Sequence, residues 1–129
     1  MTQEELMTAV RSRAFEGAVE DSALKPVGRM PHQVLVTLWE WYTALPERDQ
    51  ALVRHAMRIS AYRALFGVFA MIDGVRQIDD PPHGALKLTY VAPDGTEQPL
   101  SRFGPDPGLD ELHSLWTTEV FPYTEPLPG

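Results

Sequence analysis

The sequence predicts an α+β domain: mainly a helical bundle of four to five helices, followed by one C-terminal antiparallel β-hairpin. Three observations carry that prediction. Apolar residues recur at helical spacing as far as Ile72, only one later segment alternates apolar and polar residues, and an acidic, proline-rich stretch divides the two regions. We therefore expect a single domain over 1–129. A helical core spans 1–78, a hairpin and a short last helix span 79–121, and an extended tail spans 122–129.

Thr2, with Glu5 three residues later, forms a capping box, so the first helix begins at the third residue. Leu6, Val10, Ala14 and Ala18 repeat every four residues, and Met7, Phe15 and Val19 widen the stripe. The helix runs to about Ala23 before Pro26 and Gly28 break it. Pro31 suits the first turn of a second helix, where a missing amide proton costs nothing. Val34, Leu35, Leu38, Trp39, Trp41, Tyr42 and Leu45 follow, and helical spacing assigns their aromatic rings to a core.

Pro46, Glu47, Arg48 and Asp49 open a third helix, with acids near its positive end. Leu52, Val53, Ala56, Met57 and Ser60 mark its inner face. The stretch Ser60–Asp80, SAYRALFGVFAMIDGVRQIDD, organises the chain. Leu65, Phe66, Val68, Phe69, Met71 and Ile72 point nearly all round a helix, which predicts burial on every side. Leu65, Val68, Phe69 and Ile72 are the expected deepest side chains. A bilayer requires roughly 18 or more apolar residues, and this run falls short. Asp73-Gly74 stops the helix, because glycine accepts the left-handed conformation that closes a helix end. Whether the third and fourth helices form one rod or break near Ile59-Ser60 is left open by the pattern.

Leu86, Leu88 and Tyr90 alternate with Lys87, Thr89 and Val91 as a half-buried strand. Pro93-Asp94-Gly95 turns the chain, and Thr96–Leu100 returns as an edge strand that tolerates Pro99. Leu109, Leu112, Leu115 and Trp116 predict the last helix, with Asp110 and Glu111 in its first turn.

The net charge is −7, and the segment after Ile78 carries that much alone, with nine acids against two bases. Such a surface repels nucleic acid and steers a basic partner. The absence of cysteine excludes a disulfide scaffold, a thiolate metal site and a cysteine nucleophile. No secretory signal or membrane span is legible, and a cytoplasmic location is expected. His32, His55, His83 and His113 share no metal-ligand spacing, and His83 beside Asp79 and Asp80 is the nearest to a metal corner. No metal or cofactor is predicted. Asp73 reads as a helix-terminal cap before it reads as a buried base. Gly67 marks a close helix contact. Serine-nucleophile and phosphate-loop motifs are absent.

The run LFGVFAMIDGVRQIDD, then GALKLTYVAPDGTEQPL, then LDELHSLW resembles a pattern in small bacterial proteins. Some of these are immunity proteins encoded beside polymorphic or contact-dependent toxins. The likeness covers 60–116 and carries no active-site residue. It implies a helical or α+β cytoplasmic protein that binds and blocks one toxin. The expected interface comprises Asp79, Asp80, Asp94, Glu97, Asp106, Asp110 and Glu111, with Tyr90, Trp116 and Phe121 as apolar anchors against a basic toxin surface. The competing expectation is a small enzyme or ligand-binding domain using Arg54, His55 and Arg58 with the aromatic rings of the second helix. A homodimer is a third reading.

Overall fold

The computed structural model describes residues 1–103 and 108–127. Among these the chain forms four helical rods and one two-stranded antiparallel sheet, the α+β architecture expected. The first rod comprises α1 (Gln3–Val10), a π-helical turn (Arg11–Phe15) and α2 (Glu16–Val19). Thr2 Oγ1 accepts the Glu5 amide at 3.0 Å and starts it as predicted.

The expected stripe does not survive intact. Met7, Phe15 and Val19 are buried, whereas Ala14 and Ala18 are exposed. The reason is the π-helical turn, whose i→i+5 bonds take up an extra residue and rotate the following face. The inward position moves from Ala14 to Phe15, and hence from Ala18 to Val19. A 3₁₀ turn (Asp21–Leu24) ends this region.

Helix α3 (Gln33–Ala44) starts two residues later than Pro31 suggests, because His32 Nδ1 accepts the Val34 amide at 3.2 Å and caps it. The predicted third and fourth helices are one rod, α4 (Glu47–Ile72), about 39 Å long at 1.5 Å per residue. It ends at the predicted point. Gly74 has φ +78°, its amide reaches the Met71 carbonyl, and the Val75 amide reaches Ala70 at 3.0 Å. That pair of bonds satisfies carbonyls which the helix end would otherwise leave open.

The central rod is not buried all round. Tyr62, Gly67, Phe69 and Ala70 are its buried residues, while Leu65 and Ile72 are half-buried. Val68 is 44% exposed, contrary to expectation. Ala56 and Ser60 also face outward.

The hairpin pairs β1 (Thr89–Val91) with β2 (Glu97–Pro99), shorter than the alternation predicts. Pro99 lies opposite Thr89 and is tolerated because a two-stranded sheet has only edges. Ser101, buried, takes over beyond the ladder and accepts the Leu88 amide at 2.7 Å. Helix α5 (Leu112–Glu119) then crosses α4, and a 3₁₀ turn (Pro122–Thr124) follows.

Trp116, with no exposed surface, is the centre of the core. Its ring meets Phe15 edge-on at 5.6 Å, Phe69 at 5.8 Å and Tyr62 at 6.5 Å. Its indole N–H donates to the Tyr62 carbonyl at 3.2 Å, which fixes the polar end of a large apolar group. Leu112, Val120, Met7 and Val19 complete the cluster. Gln3, also buried, donates to the carbonyls of Leu100 and Asp110 at 2.9 Å each and accepts the Asp110 amide at 3.1 Å. One glutamine therefore joins the start of the chain to both the hairpin and the approach to α5.

Candidate functional site

The most distinctive surface is the outer face of α3. Val34, Leu38 and Trp41 follow one another at i, i+4 and i+7 and are 57%, 38% and 51% exposed. Leu35, Trp39 and Tyr42 lie on the inner side, with Tyr42 fully buried. The helix is held near its C-terminal end by polar contacts. Gln50 donates to the carbonyls of Tyr42 and Leu45, and Arg54 donates to the Tyr42 hydroxyl at 2.7 Å. The core reading of the aromatics thus holds for Tyr42, half-holds for Trp39 and fails for Trp41. A helix apolar all round on a domain this small cannot be covered on every side. That was the signal available in the sequence.

The predicted acidic residues occupy varied settings. Asp79 accepts the Gly84 amide at 2.9 Å, and its own carbonyl contacts His83 Nδ1 at 2.8 Å. The loop around His83 is thus closed on itself. Asp94 accepts the Thr96 amide at 2.9 Å within the hairpin turn, and the Thr96 hydrogen bonds hold its carboxyl below the usual value. Asp80, Glu97 and Asp110 are exposed. Asp106 lies outside the described residues. Glu111 is committed to the protein itself: it contacts His113 Nε2 at 3.2 Å and Arg102 at 3.7 Å. Asp110 and Glu111 precede α5 instead of forming its first turn, and Glu111 is its N-cap residue. Of the expected anchors, Trp116 is withdrawn into the core, Tyr90 is half-buried, and Phe121 is 47% exposed.

Arg54, His55 and Arg58 are not an open ligand site. Arg58 makes a fork with Glu125 at 2.9–3.1 Å, approaches Glu16 at 3.5 Å and lies over the Phe15 ring at 5.1 Å. His55 Nδ1 stands 3.9 Å from the same Glu125. With Arg54 on Tyr42, the three groups fasten the C-terminal segment and α3 to α4.

Asp73 does cap a helix, but the helix is α5. Its oxygens accept the amides of Leu112 at 3.0 Å and His113 at 2.8 Å, and His113 Nδ1 at 2.6 Å. Asp73, Glu111 and His113 present ligand atoms within 4.8 Å of one another, a separation a divalent ion accepts. Here the space between them is spanned by hydrogen bonds. Both ring nitrogens of His113 face carboxylate oxygens. The cluster is a clasp between the end of α4 and the start of α5. No sequence spacing announces it, since Asp73 lies 40 residues before His113 along the chain.

No family model, curated protein or solved structure matches this chain. Among the described residues no helix is long and apolar enough to cross a membrane.

Proposed function

We propose that the protein acts by stoichiometric binding to a basic protein partner, in the manner of an immunity protein that neutralises a toxin. The observation that carries this reading is the bare apolar stripe Val34, Leu38 and Trp41 on α3. Half-exposed tryptophan and leucine at helical spacing are the residue types that supply binding energy when a partner excludes water from them. The basic character of the partner follows from the net charge of −7, all of it matched by the segment after Ile78. Exposed Asp79, Asp80, Asp94, Glu97 and Asp110 would raise the association rate, while the α3 side chains would set the dissociation rate. The alternative enzyme reading loses its support, since Arg54, His55 and Arg58 are engaged by Tyr42, Glu125 and Glu16.

The test is binding to the product of the neighbouring gene, followed by kinetics. Trp41→Ala with Leu38→Ala should raise the dissociation rate on the order of 100-fold, the usual consequence of removing central anchors. Asp79→Lys with Asp80→Lys should slow association at low salt by about tenfold and flatten its salt dependence. Unchanged kinetics in the α3 variant would sink the proposal.

A further inference from the structure

A second feature, sharing no residue with the α3 stripe, lies on the other half of α4. Arg63 is exposed one turn before Gly67, and the chain beyond Gly74 returns the Arg76 guanidinium across that glycine. A Cβ at position 67 would stand 2.7 Å from Arg76 Nη1, so any side chain there displaces the guanidinium. Gly67 therefore does not mark a helix–helix contact, as its sequence position suggests. It is the seat of an arginine.

Beside that arginine is a cavity of about 270 Å³, lined by Tyr62, Arg63, Phe66, Arg76 and Tyr123. Its walls are held in place. The Tyr62 ring meets Tyr123 edge-on at 5.7 Å and Phe66 at 6.1 Å, and its hydroxyl is tied to Thr117 at 2.8 Å. The arginine ion pairs among the described residues belong to Arg11, Arg58 and Arg102. Arg63 and Arg76 have none, in a chain with 18 acids and 11 bases. Among the described residues, two guanidinium groups thus share one cavity without an ion-pair partner, beside aromatic faces. Glycine weakens a helix interior, and here it opens the space that Arg76 occupies.

We propose that this cavity binds a phosphate carried on a planar ring. Two guanidinium forks match the double charge and the several acceptor oxygens of a phosphate monoester. The ring would lie against Tyr62, Phe66 or Tyr123, where offset or edge-on contact is favourable. The volume falls just below the roughly 300 Å³ at which ordinary ligand pockets begin, which suits one ring with its phosphate and excludes a dinucleotide.

The probes are phenyl phosphate, inorganic phosphate and phenol, titrated into the full chain and followed by amide chemical shifts. Phenyl phosphate should bind at least tenfold tighter than either fragment. Arg63→Gln and Arg76→Gln should each weaken it about tenfold, as loss of a charge-assisted pair does. Gly67→Ala should weaken it as Arg76→Gln does, without lowering the melting temperature, and the double variant should be no weaker than either single one. That non-additivity separates a binding role for Arg76 from damage to the fold. A phosphotyrosine peptide and adenosine monophosphate, titrated in parallel, distinguish a protein-borne ring from a free nucleotide by which binds tighter. No saturation by phenyl phosphate up to roughly 10 mM would overturn the proposal. So would equal affinity for inorganic phosphate, or arginine variants that bind as well as the original chain.

Discussion

The two halves of α4 have the same helical geometry and opposite surroundings. From Tyr62 onward the helix sets Tyr62 and Phe69 against Trp116 and Phe15 in a closed aromatic cluster, and among the described residues the buried side-chain polar atoms have partners. From Glu47 to Ala61 no residue is fully buried, and α3 beside it leaves Val34, Leu38 and Trp41 open to water. The second half is the more apolar, nine of eleven residues against seven of fifteen. It is also the half on which α5 sets Trp116 against Tyr62 and Phe69, while α3 is fixed to the other mainly through Gln50, Arg54 and Tyr42. Stability should therefore be concentrated at the Tyr62 end, and the surface that binds a protein partner at the α3 end.

Truncating each tryptophan tests that division most sharply. Trp116→Ala should destabilise by about 3–5 kcal/mol, the usual cost of emptying a large aromatic site, and Phe69→Ala should fall in the same range. Trp41→Ala should change urea stability by under about 1 kcal/mol, because half of its surface is already in water. Equal losses for Trp41 and Trp116 would erase the contrast between the halves. A smaller effect is expected at the clasp. Asp73→Ala removes an acceptor for two amides and a histidine and should cost about 1–3 kcal/mol. A matching loss of amide protection confined to the first turn of α5 would show that the cap itself is responsible.

The smallest effect belongs to the hairpin turn. The Asp94 carboxyl is held below the usual aspartate range because the Thr96 amide and hydroxyl favour the charged form. A depressed carboxyl contributes stability that is present above the unfolded value and lost as pH falls through the folded one. Asp94→Asn should therefore cost a little stability at neutral pH, cost none once the pH is low enough to protonate the carboxyl in both states, and flatten the acid limb below about pH 4. A loss in strong acid as large as that at neutral pH would contradict it.

How much of this was legible depended on the range of the interaction. The Thr2 cap, the stop at Asp73-Gly74 and the Asp94-Gly95 turn are local, and residue type announces each of them. Phe69 was correctly placed inside, because an apolar helix must bury some face. Val68 was not, because periodicity cannot say which side a neighbour will cover. The π-helical turn that exchanged Ala14 for Phe15 leaves no composition signal. At the candidate sites the failures were of the same kind. Arg58 looked free until Glu125 arrived from the far end of the chain, and Arg63 with Arg76 escaped notice because only the turn at Gly74 brings them together.

The position of Trp116 bears on the order of events during synthesis. The residue that completes the core follows Phe15 by 101 positions and Tyr62 by 54, and it closes contacts to both. Gln3 likewise waits for Asp110. A ribosome therefore releases most of the apolar helices before the segment that covers them exists, and early local structure has nothing to dock against. Folding of this core waits for α5. A message truncated before α5 would yield helices with exposed faces, which chaperones and proteases would meet first.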